Sequence, residues 1–143
     1  MPSSTPTKRP SAAELVAVAS AIAVVVVAFL TSWHRSGRVH RNAFELGRAL
    51  DRLGLVTGDA RRALLIAVDV VPLLAALTVF AAVERWPRAT GALAMATGAI
   101  ALVASLVVLH VAGFRQPGPK LCAAVASVAI VSGALALYRR SSA

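Results

Sequence analysis

Apolar residues in this chain fall into four long runs, residues 12–33, 63–83, 89–114 and 121–138, and the charged residues are held to the gaps between them. About 20 apolar residues cross a bilayer as a helix, so each run predicts a transmembrane span. The third run is long enough to require tilt or frayed ends, while the fourth, at about 18 residues, lies near the lower limit. The first carries Glu14 at its entrance, has a valine centre from Val24 to Val27 and exits at Trp33, where an indole favours the membrane interface. Lys8 and Arg9 ahead of it would also suit a cleaved signal peptide. The run is longer than the apolar part of such a peptide, and Thr31-Ser32-Trp33-His34 is a poor cleavage site, which favours an uncleaved span.

The gaps are unequal. Residues 34–62 form the one long polar segment, with Arg35, Arg38, Arg41, Arg48, Arg52, Arg61 and Arg62 against Glu45, Asp51 and Asp59. Inside it Leu46, Leu50 and Leu53 recur at helical spacing beside Phe44, and Glu45, Arg48, Asp51 and Arg52 fill the other face. The pattern predicts a short amphipathic helix over residues 42–54, with Asn42 as its N-cap, Glu45 closing a capping box and Gly54 as its stop. A helix this short is marginal alone in water, so something must cover its leucines. The expectation is that it lies at the interface and caps its own bundle. The alternative is a docking surface, made by Phe44, Leu46, Leu50, Leu53, Arg48 and Arg52, for a partner or for anionic lipid headgroups.

Residues 84–88 make a tight charged turn, which sets the second and third spans side by side as an antiparallel hairpin. Residues 115–120, with Pro117 and Pro119, predict a loop, and the proline-rich residues 1–11 and the short stretch 139–143 predict tails. The fold class that follows is an all-α integral membrane protein: a bundle of four transmembrane helices with a short interfacial amphipathic helix between the first and second spans. Four crossings put both termini on one side of a cell (inner) membrane. The Lys and Arg residues divide six on the terminal side to nine on the other, which by the positive-inside rule weakly favours a cytoplasmic amphipathic segment but is too even a split to fix the side.

Composition sharpens the class. The chain is 58% hydrophobic but only 5% aromatic, an excess of Ala, Val and Leu that a soluble protein with a charged surface does not carry. Net charge +9 would suggest nucleic acid in a soluble protein. Once the spans are subtracted no basic face remains, so the arginines are expected to meet membrane lipids, and no nucleic acid partner is expected. The Ala, Val and Arg bias fits a GC-rich bacterial genome. Cys122 is the lone cysteine and lies in an apolar run, where it reads as a packing residue.

Because lipid tails are as apolar as leucine, spans associate through close backbone approach, and small residues should mark the seams. On the third span Gly91, Ala94, Gly98, Ala101, Ser105 and Ala112 share a stripe; on the fourth, Ala123, Ala126, Ala129, Gly133 and Ala136 do the same. These two spans are expected to pack together.

Two ionisable residues stand inside the spans. Asp69 in the second and His110 in the third lie at matched depths if the spans start and stop at the run boundaries, and they are expected to approach each other as an intramembrane polar pair. Pro72 adds an open acceptor, because it cannot donate to the carbonyl of Val68. The pair reads most simply as structural glue, and alternatively as a proton relay of a small autonomous or homo-oligomeric transporter. A haem site using His34 and His110 in an electron-transfer anchor is the third reading. No glycine-rich phosphate loop, paired carboxylates, clustered metal ligands or nucleophile with a base is present, so no enzyme activity and no cofactor is expected. The function expected is that of a non-catalytic accessory or scaffolding subunit bound to other integral membrane subunits of a transport, respiratory or envelope-building complex.

Overall fold

Ser11 opens the first helix. Its hydroxyl accepts the Glu14 amide at 3.3 Å and its own amide donates to the Glu14 carboxylate at 3.1 Å, so two of the amides that a helix start leaves unused are satisfied reciprocally. The computed structural model describes residues 10–36, 39–52, 58–112 and 116–141. In chain order these form α1 (Ala12–Leu30), a ribbon of β1 (His34–Ser36) and β2 (Val39–Arg41), the short helix α2 (Ala43–Arg52), and three long helices, α3 (Gly58–Val83), α4 (Pro87–Ala112) and α5 (Pro117–Ser141). The four long helices are each long and apolar enough to cross a membrane. With α2 between the first two of them, the fold is the all-α four-span bundle.

Helix boundaries differ from the apolar runs for identifiable reasons. α1 stops at Leu30, where Thr31 turns to extended backbone and the chain doubles back as the ribbon. α3 begins at Gly58 rather than at residue 63, so its first turn carries Asp59 out of the apolar zone. Pro117 does not break the chain into a loop but starts α5, because proline lacks only an amide that the first turn of a helix leaves unused. The N-terminal tail through residue 9, as well as Leu53 and Gly54, lie outside the described residues.

The turn between α3 and α4 is a Schellman cap. Trp86 N donates to Ala81 O at 2.7 Å and Arg85 N to Ala82 O at 3.1 Å, with Arg85 in the left-handed region at φ 59° where glycine is usual. Pro87 then starts α4, and Trp86 sets its ring edge-on to Phe80 at 6.3 Å.

Around the bundle the helices run in the order α1, α5, α4, α3, with α4 against α5 the most extensive contact and α1 touching α4 across the diagonal. Interior and exterior are inverted relative to a soluble protein. Ile22, Leu73, Phe80, Val103 and Val131 face outward, while Ala17, Ala21, Ala94, Ala101, Ala126 and Ala129 fill the inside. The buried hydroxyls of Thr78, Thr97, Ser105 and Ser132 each donate to a carbonyl four residues back on their own helix, so they leave little polar glue between helices.

Steric fit does that work instead. A Cβ on Gly91 would lie 2.9 Å from Gly133 O, one on Gly133 would lie 2.6 Å from Gly91 O, and one on Gly98 would lie 2.6 Å from Ala126 O. Ser105 is fully buried on the same face of α4. A substitution at these glycines must push two backbones apart, and overpacking costs about 1–3 kcal/mol or more. Gly98→Leu is therefore expected to lower the thermal unfolding midpoint in detergent, whereas Ala92→Leu, on the exposed face of the same helix, leaves it unchanged; equal midpoints for the two variants would contradict the seam.

Candidate functional site

Two regions concentrate residues with polar or partner-binding capacity. The first is the corner formed by the end of α1, the ribbon, α2 and the start of α5. Here the backbone folds back on itself: Trp33 N donates to Arg41 O at 2.9 Å, continuing the ribbon register His34 to Arg41, Arg35 to His40 and Ser36 to Val39. His40 Nδ1 lies 3.1 Å from the Ser32 hydroxyl. The first turn of α5 runs directly beneath, since a Cβ on Gly118 would meet Ser32 O at 2.6 Å and the Trp33 ring at 2.8 Å.

α2 closes this corner. Asn42 caps it, accepting the Glu45 amide at 2.9 Å while the Glu45 carboxylate accepts the Asn42 amide at 3.3 Å. Leu46 is 4% exposed and belongs to the same core as Val24, Ala67 and Val108. Phe44 stacks on Phe29 of α1 at 4.0 Å with a 24° angle between the rings. Glu45, Arg48 and Arg52 are exposed. The described apolar residues of this helix therefore face its own bundle, leaving its charged face outward. The Leu50 side chain and Leu53 lie outside the described residues.

Trp33 sits under α2, 4% exposed, and its indole Nε1 is the one buried side-chain polar atom among the described residues without a hydrogen bond. It borders a cavity of about 40 Å³ that Val24, Phe44, Val71, Ala104 and Cys122 also line. An orphaned buried donor costs about 1–3 kcal/mol.

The second region is the outer face of the α3–α4 hairpin. α3 buries Ala67, Val71, Ala75, Thr78 and Ala81. At 100° per residue, Asp69 points directly away from that face and shares the outward stripe with Ile66, Leu73, Leu77 and Phe80, all exposed. On α4 His110 shares an outward stripe with Ala99, Val103 and Leu106, opposite the glycine seam. Between the two helices runs a groove of about 300 Å³, walled by Ala63 and Ile66 on one side and by Ala99, Ile100, Val103 and Val107 on the other.

That groove shows the hairpin's register, and the register separates the two ionisable residues. From Ile66 to Asp69 the chain moves toward the Glu84 turn; from Val107 to His110 it moves away from it. Each step of three residues is about 4.5 Å, so along the hairpin Asp69 and His110 move apart in opposite directions. No hydrogen bond or ion pair joins Asp69 to His110, and no partner of Asp69 is found among the described residues. His110 lies in the last turn of α4. Asp69 lies four residues inside the apolar stretch Leu65–Val83, about 6 Å deep. Sequence reasoning placed Asp69 within a span but missed its direction. The signal was present in the wheel of α3, where Asp69 falls opposite Ala67, Val71 and Ala75.

The described residues contain no group of three or more His, Cys, Asp or Glu side chains placed to hold a metal. His34, the second histidine of the haem reading, has its side chain outside the described residues. The chain thus defines a class, a four-span membrane bundle capped on one side by an amphipathic helix. No family model, curated protein or solved structure matches it.

Truncating the α2 anchor should separate packing from the indole's polarity. Leu46→Ala is expected to cost roughly 2–5 kcal/mol, as for other buried leucines. Trp33→Phe removes the orphaned donor along with some packing, and is expected to stay within about 1 kcal/mol of the parent. Thermal unfolding of both variants in the same detergent checks the order; a Trp33→Phe loss as large as that of Leu46→Ala would show that the indole N–H has a partner.

Proposed function

We propose that this protein is a non-catalytic accessory or scaffolding subunit of a larger assembly in the cell membrane, with both termini on the same side. The observation that carries the reading is Asp69, an exposed carboxylate on the outward apolar stripe of α3 with no partner among the described residues. Ionisable residues in spans nearly always face a bundle interior or a water-filled cavity, because an aspartate at a span centre costs about 2.5–3.5 kcal/mol, and less nearer the interface. In a bundle that turns such a residue outward, the compensating contact comes from outside the chain.

The arrangement of the remaining residues agrees with this role. α2 packs Phe44 and Leu46 onto one end of the bundle, and α4 and α5 approach closely through glycine, which gives a packed platform for a neighbour. A relay between Asp69 and His110 would need the two within proton-transfer reach, whereas the hairpin register carries them apart. The assembly classes that suit such a platform are transport, respiratory and envelope-building complexes.

Solubilisation from native membranes in mild detergent, followed by mass measurement of the intact particle, tests the reading. The expected outcome is a particle containing this chain and at least one other integral membrane protein in fixed stoichiometry. A monodisperse particle made only of this chain would overturn it.

A further inference from the structure

We infer that the outer groove between α3 and α4 seats a transmembrane helix of a partner subunit that presents an arginine or lysine at the depth of Asp69. This rests on the accessory-subunit reading and specifies its contact.

Three features of the groove select a helix as occupant. It is almost wholly apolar, walled by Ala63, Ile66, Ala99, Ile100, Val103 and Val107. Its alanines allow close approach of another backbone, the condition for helix association where lipid offers no hydrophobic driving force. Its direction follows two antiparallel helices of 26 residues each, so an occupant in contact along its length crosses the membrane beside them.

Asp69 supplies the chemistry. It stands three residues beyond Ile66 on the same outward stripe, so a helix lying against Ile66 passes the carboxylate. A carboxylate in lipid calls for a charged donor, and a guanidinium or ammonium answers it.

A second copy of this chain does not provide that donor. Two copies related by an axis normal to the membrane keep equal depths, so Asp69 would meet Asp69, and like charges repel. His110 lies in the last turn of α4, toward the membrane edge, and Arg62, on the same side of α3, is seven residues or about 10 Å away along the helix. The base belongs to a different chain.

A photoreactive amino acid placed at Ile66, in the full chain expressed in its native membranes, tests the proposal, with Leu135 on the exposed face of α5 as the second position. The expected result is that Ile66 crosslinks to a transmembrane segment of another protein and that the attachment site lies within one helical turn of an arginine or lysine. Loss of one member of a desolvated charge pair weakens association steeply, so Asp69→Ala should cut the crosslink yield about tenfold or more, while Asp69→Glu retains it. Exchanging the charges, Asp69→Arg with the partner's base changed to aspartate, should restore it. Because Asp69 has no partner among the described residues of the bundle, Asp69→Ala should leave the unfolding midpoint of the isolated chain unchanged; a clear drop would place the carboxylate in the bundle's own packing and overturn the inference. So would a crosslink to a second copy, to lipid alone or to a segment without a basic residue. Capture of a protein from Leu135 but not from Ile66 would discard the groove and leave the accessory role standing, whereas capture of no protein from either position would remove both.

Discussion

The bundle depends on the distance at which α4 and α5 cross. Gly91 and Gly133 each occupy the space where the other's Cβ would collide with backbone, so the two helices approach to a separation that no larger residue at either position permits. In lipid this closeness is itself the driving force, since dispersion between backbones replaces the hydrophobic effect that water would supply. The buried serine and threonine hydroxyls turn back onto their own helices and so do not compete for the seam. With α5 held against α4, its other flank receives α1, and α3 completes the ring against α1 and α4.

The polar segment after α1 is bound to this frame at one end. α1 ends three residues before Trp33, and the segment 31–33 that follows lies over the first turn of α5, where Gly118 has no side chain to obstruct it. α2 then lies across α1 and α3 with Leu46 inserted among their apolar residues. A charged stretch is thereby converted into a lid that packs Phe44 and Leu46 on the core and leaves Arg48 and Arg52 exposed.

Much of this was legible in sequence because it rests on local rules. Asn42 and Glu45 announce a capping box by spacing alone, and the small residues on two spans fall on faces that the structure brings together. What was not legible depends on long-range geometry. The ribbon at His34–Arg41 lacks the alternation that marks a strand, and it forms because the chain must reverse between α1 and α2. Pro117 and Pro119 read as breakers because a helix start and a helix stop share the same residues. Matched depths for Asp69 and His110 followed from span limits drawn at hydropathy boundaries; α3 in fact begins five residues earlier, and the register of the hairpin carries the two apart.

The position of α5 between α1 and α4 has a consequence for biogenesis. It is the last of the four helices to leave the ribosome, yet it supplies the surface against which the first and third are meant to rest. Until it enters the membrane, the glycine face of α4 and the inner face of α1 must meet lipid or one another, and small residues give lipid little to hold. The three earlier helices touch one another, but their small-residue faces are completed only when α5 is in place, and with it the floor that Gly118 gives Ser32 and Trp33.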